Sequence, residues 1–167
     1  MPVRPQWRPI AFGVIVRRLS KVPWSFAADR SADFRDIDGR AAARGLPAVR
    51  YPDGWPVESY SVIPLRAALL ADDAGLLREL SRELFALAFA DGRRLDDVEA
   101  VATAAERAGM DGGAVRSGVE REDIKHRLRT STEDAIALGV TGVPTIEVGG
   151  RLFWGDDQLE AAAAAAA

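Results

Sequence analysis

The stretch LGVTGVPTIEVGG, Leu138 to Gly150, decides how the rest of the chain is read. A helical pattern runs into Leu138, and Gly139 is placed to stop it. Gly142-Val143-Pro144-Thr145 then forms a corner, and Thr145–Val148 alternates as a short strand before the Gly149-Gly150 pair. Proline at the first position of a strand costs no ladder bond if that edge is open. The residue before it, Val143, is pushed toward extended geometry. A cis Val143–Pro144 bond would turn the chain sharply and leave the Val143 amide and carbonyl facing a groove. Taken alone, the ordinary trans bond is favoured, because only about 5–6% of X–Pro bonds in folded proteins are cis.

The neighbours on the C-terminal side give the corner a context. Arg151-Leu152-Phe153-Trp154 is a second β-type run, and two such runs across Gly-Gly spell a β-hairpin. A last helix is expected from Asp156-Asp157 onward, with either aspartate as its cap. Its alanine run has high intrinsic helix propensity.

Upstream, the pattern is mostly helical. Residues 113–138 read as one long helix, with Thr130 and Glu133 marking a candidate break near 130. Leu65, Ala68, Leu69 and Ala71 share one helical face, as do Leu76, Leu80, Leu84, Leu87 and Ala88. Leu95, Val98, Val101, Ala102 and Ala105 line a third helix that runs to Gly109. Phe85 and Phe89 fall at helical spacing and are expected to pack in the core. A short helix is expected over DIDGRAAARGLP, with Asp36 as cap and Gly45 as stop, between loops at 24–35 and around Pro52, Asp53-Gly54 and Pro56. Residues 3–16 read as a strand leading into a helix, and prolines 2, 5 and 9 mean that any such strand lies at an edge or begins late.

Composition bounds the chemistry. The 167 residues suffice for one domain with a core and a helical insertion. A net charge of −3 argues against a nucleic-acid partner held by phosphate neutralisation. The basic residues near the start (Arg4, Arg8, Arg17, Arg18, Lys21) read as a solvated edge. There is no cysteine, so this polypeptide holds no disulfide, thiolate metal site or cysteine nucleophile. The single histidine, His126, sits in a charged helical stretch without partners for a metal site or triad, and no metal is expected. The apolar run Ile10–Val16 is far shorter than the roughly 20 residues of a membrane span. It also lacks a cleavage site, so a cytoplasmic location without a membrane partner is expected.

A helix, Gly-Val-Pro-Thr, a hairpin and a final helix resemble the second half of the thioredoxin fold. The resemblance extends further: WRPIAFG, DIDGRAAARGLP, LRAALLADD, ELFALAFADGRRLDD, AAERAGMD and TSTEDAIALGVTGVPTIEVGGRLFWGDDQLE follow in the order seen in 2-hydroxychromene-2-carboxylate isomerases. Those belong to the DsbA-like group of the thioredoxin superfamily, together with kappa-class glutathione transferase. The resemblance implies an α/β thioredoxin-like portion (1–20 and 130–167) carrying an all-helical insertion (21–129). It implies a glutathione-dependent isomerase acting on a small aromatic-degradation intermediate, or otherwise a transferase-like enzyme, and a homodimer. In such proteins the proline is typically cis. Glutathione would then pair with Val143 before Pro144, and its γ-glutamyl end would meet Asp156 and Asp157, where a helix start suits a carboxylate and an aspartate accepts from an ammonium.

The resemblance also marks departures. The family opens with a strand and a serine-bearing loop that activates the glutathione sulfur, and no such segment precedes residue 7 here. We therefore expect an incomplete thioredoxin-like unit without its first strand–helix unit, and leave the catalytic residue unassigned. A shortened chain, a natural remnant and a strand supplied by a partner are the competing explanations. Ser20 and Lys21 stand where relatives carry Asn-Lys, and Asp29-Arg30 and Phe34 near a later Lys and Tyr. Ser20, Lys21 and Trp154 are candidate pocket residues. Two other classes compete: a DsbA-like thiol-disulfide oxidoreductase fragment, whose dithiol this chain lacks, and a non-catalytic binding or pairing module of thioredoxin fold.

Overall fold

The computed structural model describes residues 4–167. Two compact units form: residues up to Lys21 together with Leu128–Ala167, and Val22–Arg127.

In the first unit, α1 (Phe12–Arg18) is preceded by irregular chain, and α7 (Glu122–Ala137) contributes its second half. The hairpin follows as β1 (Thr145–Val148) and β2 (Arg151–Trp154), then a 3₁₀ turn at Asp156–Gln158 and α8 (Leu159–Ala165). The strands are antiparallel, with Thr145 opposite Trp154 and Val148 opposite Arg151. Gly149 and Gly150 have φ of +57° and +80°, the left-handed geometry that a two-residue hairpin turn requires. Ile15, Ala135 and Val140 form the buried centre, with Ile10, Ile136 and Leu152 packed against it.

The expected strand within 3–16 is absent from the described residues. Pro5 and Pro9 have no amide hydrogen to offer a ladder. The extended chain is instead tied down by two hydroxyls of α7: Ser131 donates to the Pro9 carbonyl (2.8 Å), and Thr132 accepts from the Ala11 amide (3.0 Å).

The second unit is helical: α2 (Ser31–Ala43), α3 (Val62–Asp73), α4 (Leu77–Phe89), α5 (Val98–Arg107) and α6 (Gly112–Gly118), with a 3₁₀ turn at Trp24–Phe26 and the first residues of α7. Ala67, Ala71, Leu80, Leu84, Val101, Ala105, Val115 and Val119 close its core; Ala71, Leu80, Leu84, Val101 and Ala105 lie on faces that the helical periodicity marks, and Ala67, Val115 and Val119 join them unmarked. Asp97 and Asp111 cap α5 and α6 by accepting from the amides two residues on.

Several boundaries differ from the sequence reading. Helix α2 begins at Ser31, inside the expected loop, because the Asp29 carboxylate accepts from the Ser31 amide (2.9 Å). Asp36 therefore lies mid-helix, paired with Arg40 one turn on, rather than capping. The long helix breaks at 119–121, not near 130. There Arg66 donates to the Val119 carbonyl and to Glu120, at 3.3 Å each. Phe85 is 62% exposed and stacks on Phe89 instead of entering the core.

Arg94 ties the loop before α5 to the turn before α3. It donates to both Asp96 oxygens and to Glu58 (2.9 Å). These bonds hold the Asp96 carboxyl below its ordinary 3.8. The folded carboxyl is thus the stronger acid, so the contribution is whole above pH 3.8 and fades as pH falls through the lower folded value. Arg94→Gln is expected to lower the urea midpoint near neutral pH, with the difference from the parent shrinking on acidification below 3.8. A pH-independent difference would show that Arg94 acts through packing instead.

Candidate functional site

The corner that opens β1 is built as a closed loop. The Val143–Pro144 bond is cis, as is Trp55–Pro56, which nothing in the sequence signalled. The Thr145 hydroxyl donates back to the Gly142 carbonyl (2.7 Å), and the Gly155 amide donates to the Pro144 carbonyl (2.9 Å). The second bond extends the hairpin ladder by one step beyond Thr145 and Trp154, pairing Pro144 with Gly155, after which the chain leaves the strand for the Asp156–Gln158 turn. Val143 is 44% exposed, and its own amide and carbonyl take no partner among the described residues.

Trp154 completes the corner from the β2 side. Its indole lies over Gly142, where a Cβ would stand 2.6 Å from Cε2. Only glycine leaves room for that ring. Gly155 adopts φ of +105° and directs the chain into the Asp156–Gln158 turn. Neither aspartate caps a helix as expected: both lie inside the 3₁₀ turn, and no side-chain cap bond forms at its start. Asp157 is exposed and, among the described residues, accepts a hydrogen bond from Gln158 alone, at 3.3 Å.

Val143, Pro144, Trp154, Asp156 and Asp157 thus converge at one end of the hairpin. Ser20 and Lys21 belong to the same unit, at the C-terminal end of α1, but among the described residues no hydrogen bond or ion pair joins them to this corner. Their backbone closes α1. The Ser20 amide bonds to the Arg17 carbonyl and the Lys21 amide to the Val16 carbonyl, which is a Schellman arrangement. Ser20 holds the left-handed position with φ of +51°, where glycine is usual.

Sequence reasoning missed the ring cluster of the second unit. Phe34, Tyr51 and Trp55 pack with centroids 4.5–6.4 Å apart, and Trp24 and Phe89 join their edges. The Arg30 guanidinium lies 5.2 Å from the Phe34 ring centre. The rings are scattered over 24–89, and no periodicity links them. A separate cavity of about 350 Å³ lies between Leu70, Leu76, Met110 and Val115, and no expected site residue lines it. His126 is exposed. Among the described residues no group of three His, Cys, Asp or Glu is placed to hold a metal, and no helix is long and apolar enough to cross a membrane.

The model of the DSBA-like thioredoxin domain matches residues 3–167. The chain belongs to that family. No curated protein sequence matches this DSBA-like domain. Among solved structures, a 2-hydroxychromene-2-carboxylate isomerase is similar at a TM-score of 0.76 and 20% identity, over 96% of this chain and 78% of that one. A probable DsbA oxidoreductase from Streptomyces coelicolor is similar at a TM-score of 0.70 and 22% identity, over 93% of this chain and 64% of that one. The domain therefore spans under two thirds of the oxidoreductase's length. At such identities the likeness shows the fold: a DSBA-like thioredoxin fold, here mostly helical with a small two-stranded sheet among the described residues.

Two variants test the local geometry. Gly142→Ala is expected to displace the Trp154 indole, moving its N–H resonance at a stability cost of about 1 kcal/mol or less, since the ring is exposed and free to swing. An unmoved resonance would contradict the packing. Ser20→Gly is expected to raise unfolding stability by about 1 kcal/mol in urea titration, by relieving the left-handed serine.

Proposed function

We propose that this DSBA-like domain binds glutathione at the Val143–Pro144 corner and serves isomerase or transferase chemistry of the 2-hydroxychromene-2-carboxylate isomerase type. One observation carries the reading: an exposed residue, Val143, with both backbone groups unpaired among the described residues and two aspartates just past the end of β2. An extended peptide pairs with such a residue as an added strand does. The cysteinyl backbone of glutathione supplies one donor and one acceptor at the right spacing. Its γ-glutamyl ammonium suits the Asp156–Asp157 pair. Charge-assisted bonds of that kind are about twice as strong as neutral ones.

The thiol of the ligand would carry the chemistry, because the chain has no cysteine of its own. For the same reason the redox reading is not favoured: without a dithiol this polypeptide forms no catalytic disulfide. The corner holds and orients the tripeptide, and no residue of this chain is assigned to activating its sulfur.

Calorimetric titration is expected to show saturable glutathione binding at or below millimolar concentration. Asp157→Ala is expected to weaken it roughly tenfold, about 1.4 kcal/mol. Cysteinylglycine, which lacks the γ-glutamyl group, should bind parent and variant equally. No heat at millimolar glutathione, or equal loss of both ligands in the variant, would sink the assignment.

A further inference from the structure

Independently of the glutathione corner, we propose that the cavity of the helical unit binds a small neutral aromatic molecule, up to two fused rings in size and carrying one N–H or O–H donor. The cavity holds about 350 Å³ and lies between the end of α3 and the turn that joins α5 to α6. Its rim residues Ala74, Asp111, Ala114 and Arg121 are exposed, so the space is open to solvent on that side. A cavity of about 150 Å³ already accommodates one benzene ring. Two fused rings therefore fit here, and a larger molecule would protrude.

Two helix ends build the frame. Gly75, with φ of +70°, closes α3: its amide donates to the Asp72 carbonyl and the Leu76 amide to the Ala71 carbonyl. Gly109, with φ of +90°, closes α5 in the same way, its amide on the Glu106 carbonyl and the Met110 amide on the Ala105 carbonyl. Both are Schellman arrangements, which turn the residue after the glycine back onto its own helix. Those residues, Leu76 and Met110, pack against the helical core and line the cavity. Leu70 is held against Gly118, where an added Cβ would stand 2.6 Å from its Cδ1. The walls are thus set before any ligand arrives, as in most small-molecule sites.

The lining sets the class of occupant. Leu70, Leu76 and Val115 offer aliphatic surface, and the Met110 thioether is a sulfur of the kind that contacts ring edges. Arg121 is held as a flat fork, with Nε and Nη2 both donating to the Asp123 carboxylate. A guanidinium pinned in this way keeps its face for stacking on a ring. Its charge is already met by Asp123, and Asp111 adds a further negative charge to the rim, so an anionic ligand is disfavoured. Asp111 Oδ1 accepts the Gly113 amide (2.8 Å), while its second oxygen has no partner among the described residues. An acceptor beside an apolar wall is satisfied by one donor on the edge of the ring.

The test uses indole as the probe, titrated into the full chain without glutathione and followed through the carbon-13 methyl signals of methionine. The chain has two methionines, so Met110→Leu assigns the signal that reports the cavity. A saturable shift of the Met110 signal is expected at or below millimolar indole. 1-Methylindole, which has no N–H, should bind roughly tenfold more weakly. Asp111→Asn keeps a capping oxygen for α6 but replaces the free acceptor with an NH₂ donor, and should bring indole to the level of 1-methylindole. Ala114→Trp, on the exposed side of α6, should fill the opening and abolish the shift, with its fold checked by circular dichroism. Ala74→Trp, at the end of α3, supplies the same block if the first variant fails to fold. No saturable shift in the parent, or a shift that survives in either folded tryptophan variant, would overturn the cavity as a site. Equal affinity for indole and 1-methylindole would overturn the donor requirement at Asp111.

Discussion

A single buried hydroxyl governs the first unit. Thr132 is 2% exposed, donates to the Leu128 carbonyl inside α7 (2.7 Å) and accepts the Ala11 amide from outside it (3.0 Å). Both hydrogen-bonding roles are filled, so burial leaves nothing unsatisfied. The bond fixes where the irregular N-terminal chain meets α7, and so where α1 begins and Ile15 enters the core. Replacing Thr132 with valine would keep the shape but leave the Ala11 amide without its acceptor, a cost of about 1–3 kcal/mol.

The corner at the other end of α7 works by a different logic. There the backbone is closed on itself through Thr145 and Gly155, while the amide and carbonyl of Val143 stay open among the described residues. Gly142 leaves room for the Trp154 ring, and Gly155 turns the chain out of β2 into the Asp156–Gln158 segment. Each residue of Gly142-Val143-Pro144-Thr145 thus has a distinct local role. That is why so short a stretch carries so much of the reading.

What was legible in the sequence divides by mechanism. The hairpin was legible because Gly-Gly demands a turn that other residues resist. The faces of α3, α4 and α5 were legible because apolar spacing and burial express one fact. The start of α2 was hidden, since its helix-opening bond comes from Asp29, two residues ahead of Ser31 and outside any apolar pattern. The break between α6 and α7 depends on Arg66, more than fifty positions away in sequence, although the acidic Glu122 and Asp123 in the first turn of α7 were a local hint. The N-terminal strand failed because side-chain hydroxyls, which leave no periodic trace, took over the role of a ladder. At the site, the corner and the aspartates were readable from one contiguous motif. The ring cluster, assembled from four separate segments, was not.

The placement of the tryptophans has a practical consequence. Trp24 and Trp55 touch, with ring centres 5.9 Å apart and planes inclined at 52°. Two indoles that close and that oblique behave as coupled chromophores, whose strongest transitions mix and split into a signed pair in the far ultraviolet. Trp7 and Trp154 sit in the other unit. The chain therefore carries its own optical label: an exciton signal that reports the helical unit separately from the hairpin.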